Sequence, residues 1–192
     1  MAAPGTDAER ITPHQLTALA AQYINQGNIG IAYTYNEPLI GYEFIYDCSV
    51  LAKKQELKNA LVTNGFINPE PLAKLLPYID ALNIDLKSFN ENFYKKIGGN
   101  LQSVLDTIKT AAAYAHVEIT TLIIPGENDG DDEMDALASF IASVSPDMPL
   151  HLSRFFPNYK MKEKLPTPKE TIFRLNEIAK NYLNYVYLGN MR

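Results

Sequence analysis

A partial (β/α) barrel of the TIM type is the fold class the sequence predicts, and three observations predict it. Six short β-type runs alternate with segments of helical apolar period, the pattern of a mostly parallel sheet with outer helices. The step from one run to the next is mostly about 20 to 40 residues, the size of one βα unit. A complete eight-stranded barrel takes about 250 residues, and this chain has 192. An open or truncated barrel is therefore favoured over a closed one.

The elements follow in order. Thr12-Pro13-His14-Gln15 joins an N-cap threonine, a proline at the first helical position and a glutamine able to close a capping box. Leu16, Leu19, Ala20 and Tyr23 then supply one apolar stripe. A strand is expected over Ile29 to Thr34, followed by a helix on Phe44, Ile45, Cys48, Leu51 and Ala52. The second strand is Ala60 to Thr63, Asn68-Pro69 starts the next helix, and the third strand is Ala81 to Leu86. Leu101, Leu105, Ile108 and Ala112 predict a helix before the strand Val117 to Ile124. Leu137, Phe140, Ile141 and Val144 predict another before Leu150 to Phe155. Thr167-Pro168-Lys169-Glu170 repeats the capping pattern ahead of a last helix, and Tyr185 to Leu188 is the sixth strand. Residues 1–10 are expected to be a flexible segment and 11–192 a single domain.

Composition narrows the function classes. The chain is 46% hydrophobic and 20% charged, with 17 Lys and Arg against 22 Asp and Glu, a net charge of −5. No basic run marks a phosphate-binding surface, which argues against nucleic acid as a partner. No apolar stretch approaches the roughly 20 residues of a membrane span, and no secretory signal pattern opens the chain. The expected location is cytoplasmic, with no membrane partner. One cysteine, Cys48, excludes an internal disulfide framework and any site built from several thiolates of this sequence. Its place in an apolar stripe reads as a packed hydrophobe.

In parallel α/β folds the ligand site forms at the carboxyl ends of the strands, and nearly every predicted strand here ends in polar residues. These are Thr34-Tyr35-Asn36-Glu37-Pro38, Thr63-Asn64-Gly65, Asn83 and Asp85 with Lys87, Pro125-Gly126-Glu127-Asn128-Asp129, and His151, Ser153 and Arg154. Asp85 and Lys87, two apart, share one strand face; they either pair with each other or offer an acceptor and a donor to a ligand. Glu37 either caps backbone amides or binds an ammonium group. Thr63-Asn64-Gly65 and the Pro125 loop carry ordinary turn chemistry as well as ligand potential. Of His151 and Arg154, on opposite strand faces, one should point inward. His14 and His116, placed at a helix start and a helix end, read as ordinary capping or surface residues. Phosphate-cradling glycine loops, paired metal-spaced histidines and a nucleophile elbow are absent from the sequence, so no catalytic residue is identified.

Taken as a series, the strand-end phrases resemble a known family. Ala32-Tyr33-Thr34-Tyr35-Asn36-Glu37-Pro38, Val62-Thr63-Asn64-Gly65-Phe66, Asp80-Ala81-Leu82-Asn83-Ile84-Asp85-Leu86-Lys87-Ser88-Phe89, Ile124-Pro125-Gly126-Glu127-Asn128-Asp129, His151-Leu152-Ser153-Arg154-Phe155 and Val186-Tyr187-Leu188-Gly189-Asn190 are similar, in that order, to radical S-adenosylmethionine enzymes of the pyruvate formate-lyase activating type. The resemblance is closest to the radical enzymes of the AmmeMemoRadiSam system. It implies a partial barrel that holds S-adenosylmethionine against a four-iron four-sulfur cluster. It further implies reductive cleavage to a 5′-deoxyadenosyl radical that abstracts hydrogen from a partner protein or other substrate, with a flavodoxin or ferredoxin as electron donor. By the same resemblance Asn36 and Glu37 stand at the Gly-Gly-Glu-Pro-type motif that meets the methionine amino group. Asp85 and Lys87 match the Asp-Leu-Lys motif, Thr63 and Asn64 the strand-end cofactor contacts, and His151, Arg154 and Tyr159 the substrate side.

Two departures accompany the resemblance. The family's cluster sits on a C-x-x-x-C-x-x-C loop after its first strand, whereas this sequence has Cys48 alone; the expectation is that the chain starts beyond that loop and is inactive by itself. Asn36 stands where the activating enzymes carry glycine. Two other readings remain: a cluster-free S-adenosylmethionine-binding or protein-docking module, and an aldolase-like barrel using Lys87 as a Schiff-base nucleophile.

Overall fold

The computed structural model describes residues 10–192. The expected flexible segment 1–10 therefore lies, for residues 1–9, outside the described residues. Helix α1 (Pro13–Gln22) is followed by β1 (Gly30–Tyr33), α2 (Tyr42–Lys53), β2 (Lys58–Thr63), α3 (Pro69–Leu75) and β3 (Ala81–Asp85). Then come α4 (Glu91–Lys96), α5 (Leu101–Ala112), β4 (His116–Ile123), α6 (Asp131–Val144), β5 (Leu150–Arg154), α7 (Lys169–Ala179) and β6 (Val186–Gly189). The strands form one sheet in the order β1-β2-β3-β4-β5-β6, every pair parallel. Each parallel step needs a crossover, and crossovers of one hand between sequential neighbours keep the helices on one side. The result is the open α/β partial barrel expected from the alternation.

Strand alternation sorts the side chains. Leu82 and Ile84 of β3, Val117, Ile119 and Ile123 of β4, and Leu150 and Leu152 of β5 are buried on the helix side. They pack there against Val104 and Ile108 of α5, Leu137 and Ile141 of α6, and Ile172 and Leu175 of α7. Burying such a side chain stabilises the fold by about 1.5–3 kcal/mol. Their neighbours Asn83, Asp85, Glu118, Thr120, His151 and Ser153 are only half-buried and line the opposite, inner face.

The Thr12 capping box forms as expected, Thr12 Oγ1 accepting from the Gln15 amide while Gln15 Oε1 accepts from the Thr12 amide at 2.8 Å. The second capping expectation fails. Thr167 does not cap α7, whose N-cap is Pro168 without a side-chain bond. Its hydroxyl is buried instead, donating to the Ile123 carbonyl at 2.6 Å and accepting from the Phe155 amide at 3.1 Å. Two sheet-end polar groups needed a partner there, and satisfying them outweighs a cap on an exposed helix start. Asn68 likewise precedes α3 with Pro69 at the first turn but makes no side-chain cap. His116 opens β4 rather than ending a helix.

At the amino end of the sheet Asp80 collects Lys53 of α2 at 2.6 Å, Lys58 of β2 at 3.0 Å and the Asn59 amide at 2.9 Å. Burial pushes its carboxyl up, but these three donors together hold it below the ordinary carboxylate value. A depressed native value means a contribution to stability that is present above the unfolded-state value and lost as pH falls through the native one. Asp80→Asn is therefore expected to lower the urea midpoint near neutral pH and to shrink the loss of stability on acidification from about pH 6 to about pH 3. Urea titrations of both proteins across that range check it, and parallel acid limbs would refute the assignment.

Candidate functional site

The carboxyl ends of β1 to β3 meet through Glu37. After β1 the backbone turns through two successive left-handed residues, Tyr35 at φ 64° and Asn36 at φ 52°, a conformation that costs a non-glycine residue about 1–2 kcal/mol. The turn delivers the Glu37 carboxylate to the end of β2. There Oε1 accepts from Thr63 Oγ1 at 2.7 Å and from the Leu39 amide at 3.1 Å, and Oε2 accepts from the Asn64 amide at 2.7 Å. Glu37 thus caps a short 3₁₀ turn and clamps β1 to β2. Gly65 follows at φ +70°, and a Cβ there would run into Ile84, so close approach to β3 requires glycine.

Asp85 and Lys87 pair with each other, Lys87 Nζ lying 2.7 Å from Asp85 Oδ2 with both side chains still partly open to solvent. The backbone beside them is fixed from two sides. Tyr94 Oη accepts from the Lys87 amide at 3.1 Å, and Asn128 Nδ2 donates to the Lys87 carbonyl at 2.7 Å. Burial, reinforced by the Asp85 charge and opposed by the Lys87 amide bond, pushes the Tyr94 phenol up to about 12, so it stays neutral. Asn128, almost wholly buried, also accepts from the Ile124 amide and donates to the Leu122 carbonyl. The loop after β4 is in this way stitched to the end of β3.

Two cavities open onto these residues and share Asn64 and Phe66. One of about 460 Å³ is walled by Glu37, Leu39, Ile40, Tyr42 and Pro71. The other, of about 350 Å³, is walled by Lys87, Tyr94, Gly98 and Gly99. The Glu37 carboxylate, the Lys87 ammonium and the Asn64 amide bordering mostly apolar cavities suit a zwitterionic ligand that also carries an apolar or ring portion.

The remaining expected residues separate. His151 faces the inner wall and bonds Glu118. Arg154 has the parity of the buried Leu150 and Leu152; its Nε donates to the Thr167 carbonyl at 2.9 Å and its guanidinium lies 4.9 Å from the Phe156 ring centroid. Tyr159 stands 67% exposed at φ 49° beyond β5. The structure gathers Glu37, Thr63 and Asn64 into one bonded group and Asp85 with Lys87 into a second, and leaves Asn36, His151, Arg154 and Tyr159 outside both. Sequence reasoning missed Glu118 and Tyr94, and named Asn128 only as part of the loop after β4, without its bonds to the end of β3. The alternation of Glu118 with Val117 and Ile119 was a legible signal for the first; the other two depend on contacts across 7 and 41 residues.

A four-iron cluster is held by several thiolates. The one thiol of this sequence, Cys48, is fully buried in α2, and burial together with the Asp47 charge pushes it up to about 11. The residues of this sequence do not fit such a cluster. Among the described residues no group of three or more His, Cys, Asp or Glu is arranged to hold a metal ion, and no helix is long and apolar enough to cross a membrane.

Residues 3–140 match the Radical SAM superfamily. Over 185 residues the chain is 42% identical to an uncharacterized protein of Methanocaldococcus jannaschii, covering 94% of this chain and 54% of that one. It is 25% identical to the pyruvate formate-lyase 1-activating enzyme of Escherichia coli K12, covering 83% and 71%. The chain thus spans about half the length of the first of these relatives. Among solved structures, a domain of pyruvate-formate lyase-activating enzyme from Bacteroides vulgatus superposes with a TM-score of 0.71 at 22% identity, covering 84% of this chain and 99% of that one. Streptococcus suis SuiB bound to S-adenosylmethionine superposes with a TM-score of 0.74 at 13% identity, covering 97% and 45%.

A thiol held largely protonated in the core should not react. The native chain is expected to show no fast reaction of Cys48 with an aromatic disulfide at pH 8 and full reaction in denaturant, and to gain no stoichiometric cluster absorbance on anaerobic incubation with iron and sulfide. Rapid native labelling, or four irons bound per chain, would contradict this.

Proposed function

The chain belongs to the radical SAM superfamily, and from that membership we propose that it forms the S-adenosylmethionine- and substrate-holding part of an enzyme of the pyruvate formate-lyase activating type. The observation that carries the reading is that Glu37 and Asn64, bonded to each other and to Thr63, and Lys87, paired with Asp85, line two adjoining cavities at the carboxyl ends of β1 to β3. Names of similar proteins point the same way, including an activating enzyme and a protein solved with S-adenosylmethionine bound.

In this reading Glu37 and the Asn36 turn take the methionine ammonium, with Glu37 fixed by the Thr63 hydroxyl and the Asn64 amide. Lys87 offers its ammonium to the carboxylate, Asp85 accepts from hydroxyl groups, and Asn64 borders both cavities. When bound, S-adenosylmethionine supplies a 5′-deoxyadenosyl group for hydrogen abstraction. Because one buried thiol does not fit the cluster that reduces it, no electron step is assigned to these residues. His151, Arg154 and Tyr159 belong to the substrate side. Tyr35, Ile40 and Phe66 after β1 and β2, and Phe156, Tyr159 and Leu165 after β5, are exposed apolar side chains in the loops at the carboxyl ends of the strands, a composition suited to a partner protein presenting the substrate. A flavodoxin or ferredoxin is the electron donor that this reading implies for the whole enzyme.

The single thiol favours a second reading, an S-adenosylmethionine-binding or docking module without catalysis. The Schiff-base reading is disfavoured: a nucleophilic lysine calls for a desolvated amine or a cationic neighbour, and Lys87 has a carboxylate at 2.7 Å.

Calorimetry with S-adenosylmethionine tests the central claim. The chain is expected to bind one equivalent, and Glu37→Ala and Asp85→Ala each to weaken binding by about tenfold or more, about 1.4 kcal/mol. No heat of binding, or variants that bind as well as the parent, would remove it.

A further inference from the structure

Glu118 lies at the middle of the inner wall, outside the strand-end groups. Its Oε1 is 3.0 Å from His116 Nε2 and its Oε2 is 2.7 Å from His151 Nε2. The bond from His116 and the bond and charge of His151, working against burial, hold the Glu118 carboxyl below its ordinary value. An ionised carboxylate only accepts, so both Nε2 atoms carry hydrogen. In neutral His151 the lone pair then sits on Nδ1, and among the described residues that ring makes no other hydrogen bond.

The ring is also held flat. Tyr187 of β6 stacks on it at 5.3 Å between centroids and 25° between planes. The His151 side chain is 31% exposed, so the ring is open to the inner face. His151 pairs in register with Thr120, and Thr120 with Asp85, which places His151 in one transverse row with the carboxylate assigned to ligand binding. The groups that face it are Glu118 and Thr120 from β4 and Tyr187 from β6, with Asp85 of β3 two strands away; Arg154 on its own strand has the opposite parity. A metal reading does not hold, since each Glu118 oxygen already faces an imidazole N–H.

We propose that His151 is a proton-accepting residue of the inner wall, its Nδ1 taking the proton of a hydroxyl or amide N–H on a substrate held in the barrel, with Glu118 as its positioning residue. This deepens the functional reading above and rests on it for the location of the substrate. In the step, the substrate O–H or N–H bond breaks and its electron pair stays on that oxygen or nitrogen. The Nδ1 lone pair forms the new N–H bond, and the imidazolium charge is balanced by the Glu118 carboxylate. His116 occupies the second carboxylate oxygen, which keeps Glu118 from turning toward the substrate itself.

Carbethoxylation by diethyl pyrocarbonate, read peptide by peptide in the mass spectrometer at about pH 8, where unperturbed imidazoles are neutral, tests the arrangement. His151 is expected to be modified in the parent chain, several-fold more slowly in Glu118→Gln, and at a restored rate in Glu118→Asp, with His14 unchanged in all three as the internal reference. An unmodified His151 in the parent, or an equal rate in Glu118→Gln, would overturn the proposal. A nitrogen-correlated NMR spectrum of the parent chain decides independently of whether the variants fold: hydrogen on Nε2 with bare Nδ1 supports it, and the reverse tautomer refutes it. Neither readout uses S-adenosylmethionine, so failure of cofactor binding and failure of the His151–Glu118 pair are separate results.

Discussion

The pleat of a parallel sheet is the constraint on which the rest of this molecule depends. Successive residues of a strand point to opposite faces, and in this fold one face is covered by helices while the other is not. Leu82, Ile84, Ile119, Leu150 and Leu152 are driven to the covered face because each removes a large apolar surface from water. The same alternation sends Asn83, Asp85, Glu118, Thr120 and His151 to the open face. The polar inner wall is thus a consequence of building the core.

At the mouth, the polar residues stabilise the frame and hold the candidate site in place. Glu37 spends both carboxylate oxygens on Thr63, Leu39 and Asn64, which holds it in position without neutralising its charge. Asn128 does similar work between β3 and β4 with three bonds to backbone groups. The strained Tyr35–Asn36 turn is tolerated because the bonds of the next residue fix where the chain must go. Residues held in this over-determined way keep their geometry when a ligand arrives, which is the requirement for a preorganised site.

Much of this was legible in the sequence, and what was not has a physical cause. All six strands lie within one or two residues of their expected bounds, because period-two burial and flanking turn residues are local signals. The short helix α4 went unread, since six residues carry too little periodicity. Thr167 was misread because a Thr-Pro-x-Glu pattern looks the same whether the hydroxyl caps a helix or answers a carbonyl 44 residues away. Among the candidate site residues, Glu37, Thr63, Asn64, Asp85 and Lys87 announced themselves as polar groups at strand ends. Glu118 showed only as a polar residue alternating with Val117 and Ile119; its bond to His116 lies within β4, and its bond to His151 crosses to β5, a pairing no local pattern shows.

Strand order in the sheet follows strand order in the chain without a single swap. Each βα unit docks on the edge left by the unit before it, so a chain emerging from the ribosome can extend its sheet one strand at a time. Such accretion keeps loop closures short, and short closures favour rapid, vectorial assembly over a search among alternative pairings.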